Sequence, residues 1–281
     1  RNQQSVFLNM EHIQTGFYGL VVDVSTMSLV NMGMINQVLS LEDASHSPNS
    51  LITSLPTSAV SYTVTKGNTD YAADVFYGEN RATSNPSRLT DMGRFMQRID
   101  VPEVTYNGTS DLEGNIWLAA MPRHLVMTHK VSSQVAENEL TIKIDLSHLH
   151  LDQYLNEQFR LDGRAISLTD QAGDGWTFII PEYVGATSQI IRRQDGSLSF
   201  ERTFTGIAAD QEVSISVIMV PSNAADENQL KVWLTPNEAV SVKYAQLNRD
   251  GSGGSSLNAA SWDPERGLYV INLAGLGGAN W

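Results

Sequence analysis

The densest run of chemistry-bearing residues is Gly93-Arg94-Phe95-Met96-Gln97-Arg98-Ile99-Asp100-Val101-Pro102. Side chains alternate along an extended chain, so Arg94, Met96, Arg98 and Asp100 would share one face. Two planar guanidinium groups beside a carboxylate can grip an acidic or hydroxyl-rich ligand in bidentate fashion. They can equally pair with one another, and an internal Arg98–Asp100 network is the simpler reading.

Aromatic side chains set among polar ones are a second kind of binding hardware, because sugar C–H faces stack on rings while hydroxyls seek planar polar partners. Trp117, Trp176, Trp233, Trp262 and the pair Phe17-Tyr18 supply the rings. Trp233 lies between Val232 and Leu234, which have core parity, so its indole should point away from that core, toward an interface or a ligand. The candidate ligand-binding set is therefore Arg94, Arg98, Asp100, Trp117 and Trp233.

His148 and His150 stand at alternate positions after Asp145 and could reach one metal from a strand face. A lone His-x-His has no further ligands in sequence, and a strand end near Ser147 explains the spacing without an ion. No metal and no cofactor are expected. His12, His46, His124 and His129 are isolated; His129 shares parity with Leu125 and Met127 and reads as a core or sheet-edge histidine with a satisfied hydrogen bond. Glycoside hydrolysis needs only two suitably separated carboxylates. Glu11, Asp23, Asp74, Glu79, Asp91, Asp100 and Glu103 are candidates, each better read as a surface charge, so the catalytic residues stay unassigned. Asp170 to Gly175 resembles a calcium loop only loosely and reads as a hairpin turn. Asn107-Gly108-Thr109 is a glycosylation sequon as well as a turn.

The chain has 281 residues, no cysteine, and 18 Lys and Arg against 31 Asp and Glu, a formal net charge of −13. Such a balance repels phosphate backbones, so no nucleic acid partner is expected. The absence of cysteine excludes disulfides, thiolate metal sites and cysteine nucleophiles. Apolar runs such as Val217 to Val220 fall far short of the ~18 residues of a membrane span. The chain opens at Arg1, which suggests that a leader, tag or upstream segment has been removed. The expected compartment is the bacterial periplasm or exterior.

The elements that must position these residues are strands. Leu140 to Leu146 alternates apolar and polar residues, and so do Leu125 to His129, Val213 to Val217, Leu230 to Leu234, Val240 to Tyr244 and Leu268 to Val270. Each is a strand with one face on a core. Gly67-Asn68, Asn107-Gly108, Asp174-Gly175, Asp195-Gly196, Pro236-Asn237 and Asp250-Gly251 are turn signals between them. The spacing predicts a large antiparallel all-β sandwich, with short helices at Asn36–Ala44 and Leu151–Phe159. No linker divides the chain, so one domain over 1–274 is expected, with 275–281 opening a linker.

Residues 93–100, the run Gly114-Asn115-Ile116-Trp117-Leu118-Ala119-Ala120-Met121-Pro122-Arg123-His124-Leu125, and Trp262-Asp263-Pro264-Glu265-Arg266-Gly267-Leu268-Tyr269 resemble the supersandwich, or galactose-mutarotase-like, β domain. Such domains precede helical-toroid catalytic domains in multidomain glycoside hydrolases, phosphorylases and polysaccharide lyases. The resemblance implies a sandwich that packs on a catalytic toroid and shapes its cleft, while the main acid and base lie in the toroid. The helical hairpins of a toroid are missing from this sequence, and no catalytic residue carries over.

The expected function is a carbohydrate-active β-sandwich module, binding or cleft-forming, within a polysaccharide-degrading enzyme or system. Its partners would be carbohydrate and a catalytic domain or subunit. Two alternatives stand beside it: a stand-alone glycoside hydrolase or lyase using a carboxylate pair or a His/carboxylate site, and a self-assembling surface protein.

Overall fold

In the computed structural model Leu140, Ile142, Ile144 and Leu146 are buried while Thr141, Lys143 and Asp145 between them are half-exposed. The clearest alternation in the sequence is thus a one-sided strand. The structure describes residues 10–15, 17–23, 27–34, 59–75, 88–92, 97–121, 123–147, 156–171, 173–223, 240–244, 255–263 and 268–271.

The described residues form three antiparallel sheets. The first contains β1 (Met10–Gln14), β2 (Tyr18–Asp23) and β3 (Ser28–Met34). The principal sheet is built from β4 (Val60–Lys66), β5 (Thr69–Asp74), β6 (Arg88–Met92), β7 (Gln97–Tyr106), β8 (Thr109–Met121), β9 (His124–Ser133), β10 (Glu137–Leu146), β11 (Asn156–Arg160), β12 (Ala165–Thr169), β13 (Asp174–Ile179), β14 (Ala186–Arg192), β15 (Leu198–Ile207) and β16 (Glu212–Asn223). The third joins β17 (Val240–Tyr244), β18 (Ser255–Asp263) and β19 (Leu268–Ile271).

The principal sheet runs β11-β12-β13-β16-β9-β8-β7-β5-β4-β10-β15-β14, with β6 also on β7. It is two layers joined at a corner. β5 pairs with β4 over Lys66↔Thr69 to Thr63↔Ala72, then reaches β7 through Ala73↔Tyr106 and Asp74↔Thr105. At the far ends of the path Arg192 of β14 meets the Glu157 carboxylate of β11 at 2.8 Å, so the sheet curls until its end strands touch. The alternating side chains fill the space between the layers: Leu140, Ile142 and Phe200 from one, Met127, Ile215 and Phe178 from the other. The Phe178 and Phe200 rings lie 5.7 Å apart. Burying each such side chain stabilises the fold by about 1.5–3 kcal/mol. The first sheet adds Tyr18, Leu20, Met27, Leu29 and Met32 to this core, and the Tyr18 hydroxyl sits 2.7 and 2.8 Å from the carbonyls of Met121 and His124.

Gly67-Asn68 and Asn107-Gly108 are two-residue hairpin turns, with Gly67 and Gly108 at φ of +62° and +87°. Asp174-Gly175 is not a turn. Both belong to β13, and Gly175 is there because a Cβ would run into the Leu168 carbonyl of β12. The turn falls earlier, where the Asp170 carboxylate accepts from the Asp174 amide at 2.9 Å and Gly173 takes φ +86°. This is the plain hairpin read from the sequence. The helix expected over Leu151–Phe159 is also corrected: Asn156–Arg160 pairs along β12 as a strand. The ladder from Asn156↔Thr169 to Arg160↔Ala165 commits this backbone to inter-strand pairing, which a helix cannot make. Residues 151–155, Asn36–Ala44, Leu230 to Leu234, Pro236-Asn237 and Asp250-Gly251 lie outside the described residues. Among the described residues the one helical piece is the 3-10 turn Leu161–Gly163.

Arg202 breaks the apolar pattern of its strand. Arg202 on β15 is fully buried, in register with Leu198, Phe200 and Phe204. Its guanidinium donates to Ser188 Oγ at 2.9 Å, to the Ser214 carbonyl at 3.1 Å and to the Pro181 carbonyl, and lies 5.3 Å from the Tyr183 ring centre. Burial lowers its pKa to about 10. A buried cation persists only where its donors are met, and these partners tie β14, β15 and β16 together.

Candidate functional site

The site is assembled by register on the face of β7, β8, β9 and β16 that points away from the main core. Residues directly opposite on neighbouring strands share a face, so pairing defines rows across the sheet. One row runs Asp100, Trp117, Thr128, Ser216; the next Asn115, Lys130, Ser214; the next Glu113, Ser132, Glu212. In the other direction the rows turn apolar, as Ala119, Val126, Ile218, Ile179 and Ala165 join Trp117 in a second hydrophobic cluster. Over the polar rows lies a pocket of about 310 Å³, lined chiefly by Arg98, Glu113, Asn115, Trp117, Lys130 and Glu212.

Its edge is shaped by a β-bulge. Val101 pairs with Ile116 and Val104 with Gly114, so Pro102 and Glu103 together stand against Asn115. Proline has no amide hydrogen for the ladder, which makes a bulge the natural place for it.

The polar groups are tied down. Arg98 directs both Nε and a terminal nitrogen at Asp100 Oδ1, each at 2.8 Å, and its guanidinium lies 4.6 Å from the Trp117 ring centre. Lys130 Nζ meets Glu212 at 2.7 Å, bridging β9 to β16. Gln134 donates to Glu113 Oε1 at 2.9 Å. Within the Trp117 row the Thr128 and Ser216 hydroxyls bond at 2.9 Å. The arrangement offers an amide that both donates and accepts, a hydroxyl, an ammonium, a guanidinium and exposed carboxylates around one aromatic edge. That is a complement for many hydroxyl groups.

The opposite side of the same strands is closed. His129 is fully buried, with Nε2 2.7 Å from the Tyr106 hydroxyl and Nδ1 3.3 Å from the Lys143 carbonyl. Burial depresses its pKa to about 4 and pushes the Tyr106 hydroxyl up. Gly114 makes room for this pair, since a Cβ there would collide with the Tyr106 hydroxyl. His129 is thus the satisfied core histidine its parity indicated, with Tyr106 as the partner.

Of the five sequence candidates, Arg98, Asp100 and Trp117 are brought together. Trp117 is 3% exposed and Arg98 covers its ring, so it is no open platform; it forms the pocket's buried flank. Arg94 and Trp233 lie outside the described residues, as do His46, His148 and His150. Trp176 is fully buried in the core against Tyr18, at 5.7 Å between rings. Phe17 is exposed beneath Arg123, 5.0 Å from its ring centre. Sequence reasoning missed Glu113, Asn115, Lys130, Ser132 and Glu212. The signal was present in part: Glu113 and Asn115 share the parity of Trp117 on one strand. Among the described residues no three His, Asp or Glu side chains gather as a metal site would require.

No family model and no curated protein matches the chain. Solved structures do. A heparan sulfate lyase HepC mutant from Pedobacter heparinus is matched over 86% of this chain and 39% of its own, at 9% identity and TM-score 0.45. The α-galactosidase from Lactobacillus brevis is matched over 77% and 40%, at 11% identity and TM-score 0.46. A galactose mutarotase related enzyme from Lactobacillus acidophilus is matched over 78% and 99%, at 9% identity and TM-score 0.39. The chain spans about two-fifths of the length of the first two. The curled, two-layered antiparallel sheet is consistent with a supersandwich domain.

Proposed function

We propose that this chain is a carbohydrate-binding or cleft-forming module of a bacterial, periplasmic or extracellular polysaccharide-degrading system. The observation that supports the reading is the pocket on the outer face of β8 and β9, where Trp117 borders a ring of hydroxyl-complementary groups. Affinity electrophoresis of the chain through a panel of polysaccharides tests it: retardation that Asn115→Ala weakens is expected, and free migration in every gel contradicts it.

A stand-alone hydrolase is the second reading, favoured by one feature. Glu113 and Glu212 share a row with β9 between them, which separates their backbones by about 9.5 Å, two strand spacings. Inverting hydrolases hold their carboxyl groups ~6.5–9.5 Å apart. Both carboxylates are exposed here and engaged by Gln134 and Lys130, whereas a general acid needs an apolar setting. Binding without turnover is therefore the reading advanced, and release of new reducing ends by the isolated chain would reverse the order.

A further inference from the structure

Resting on the reading of this pocket as a sugar site, we infer that its ligand is a neutral glycan, and that uronic acid or sulfated sugars are excluded by charge. Both cations in the described pocket lining are held in ion pairs by carboxylates. Arg98 is held by Asp100 through two 2.8 Å contacts, and Lys130 by Glu212 at 2.7 Å. Glu113 accepts from the neutral Gln134 amide, so among the described residues it is a carboxylate beyond the Arg98–Asp100 and Lys130–Glu212 pairs. An incoming carboxylate or sulfate would have to displace a formed ion pair and approach the Glu113 carboxylate, on a chain of net charge −13.

A neutral sugar meets neither obstacle. Its hydroxyls can donate to Glu113, Glu212 and the Asn115 carbonyl oxygen, and accept from the Asn115 amide, Ser132 and the remaining Lys130 hydrogens. Each is a charge-assisted or ordinary hydrogen bond that leaves the ion pairs intact.

The test compares neutral polymers (laminarin, amylose, galactomannan) with polyanions (polygalacturonate, alginate, heparan sulfate) by affinity electrophoresis and calorimetry at low salt. Retardation by at least one neutral polymer and by none of the polyanions is expected. Stronger binding to a polyanion overturns the inference while leaving the pocket a sugar site. Binding to nothing overturns the sugar reading and the inference with it. Glu113→Lys sharpens the result, because Glu113 is exposed and the fold does not depend on it. Replacing −1 by +1 about 6 Å from an anion is worth roughly tenfold in water, so polyanion affinity should rise about tenfold. No gain in E113K would place the anion discrimination elsewhere and overturn the assignment to this pocket.

Discussion

The two faces of β8 are made from neighbouring residues of one strand and do opposite work. Leu112, Ile116, Leu118 and Ala120 point into the main core, and Gly114 clears space for Tyr106. Glu113, Asn115 and Trp117 point the other way and grade from water to apolar contact within five residues. From Leu112 to Ala120 the inner face is apolar throughout and the outer face is not. A stability function needs only uniform burial, whereas a binding function needs a local change of character, and the gradient marks where it lies.

Substitutions on the two faces should therefore separate stability from binding. The largest effect belongs to the inner face: Phe200→Ala, which removes a fully buried ring packed on Phe178, should cost about 3–5 kcal/mol in urea unfolding. Next comes acid. His129 has a folded pKa near 4, below its unfolded value of about 6.5, so the folded state favours the neutral ring. Its contribution is complete above pH 6.5 and is lost as pH falls toward 4, by about 3 kcal/mol. His129→Gln should flatten unfolding free energy over that window, and an unchanged slope would assign the acid sensitivity to other groups.

Gly114→Ala should cost about 1–3 kcal/mol, since the added methyl pushes on the Tyr106 hydroxyl and the Lys130 carbonyl. On the outer face Glu212→Gln removes a surface ion pair and should shift stability by less than about 1 kcal/mol while weakening glycan affinity.

Much of the fold was legible because period-2 alternation is local: β10, β9 and β16 follow the parity of Leu140, Leu125 and Val213 without help from other strands. The Asn156–Arg160 strand was not, because its four exposed residues carry no periodic signal and only the β12 partner makes them extended. Arg98 and Asp100 could be joined from sequence since they lie two apart on one strand. Lys130, Ser132 and Glu212 could not, because register across β8, β9 and β16 brings them to Trp117, and register is a property of pairs of strands. Arg202 was equally hidden: an arginine in an alternating strand reads as surface until Pro181, Ser188 and Ser214 close around it.

The central claim is that the outer polar rows bind while the inner rows hold the fold. Asn115→Ala combined with Glu212→Gln, titrated calorimetrically with a polysaccharide bound by the unaltered chain and unfolded in urea alongside it, tests this most directly. The account predicts affinity lowered at least about tenfold, with unfolding free energy changed by less than about 1 kcal/mol. Undiminished affinity in a folded double variant would contradict it.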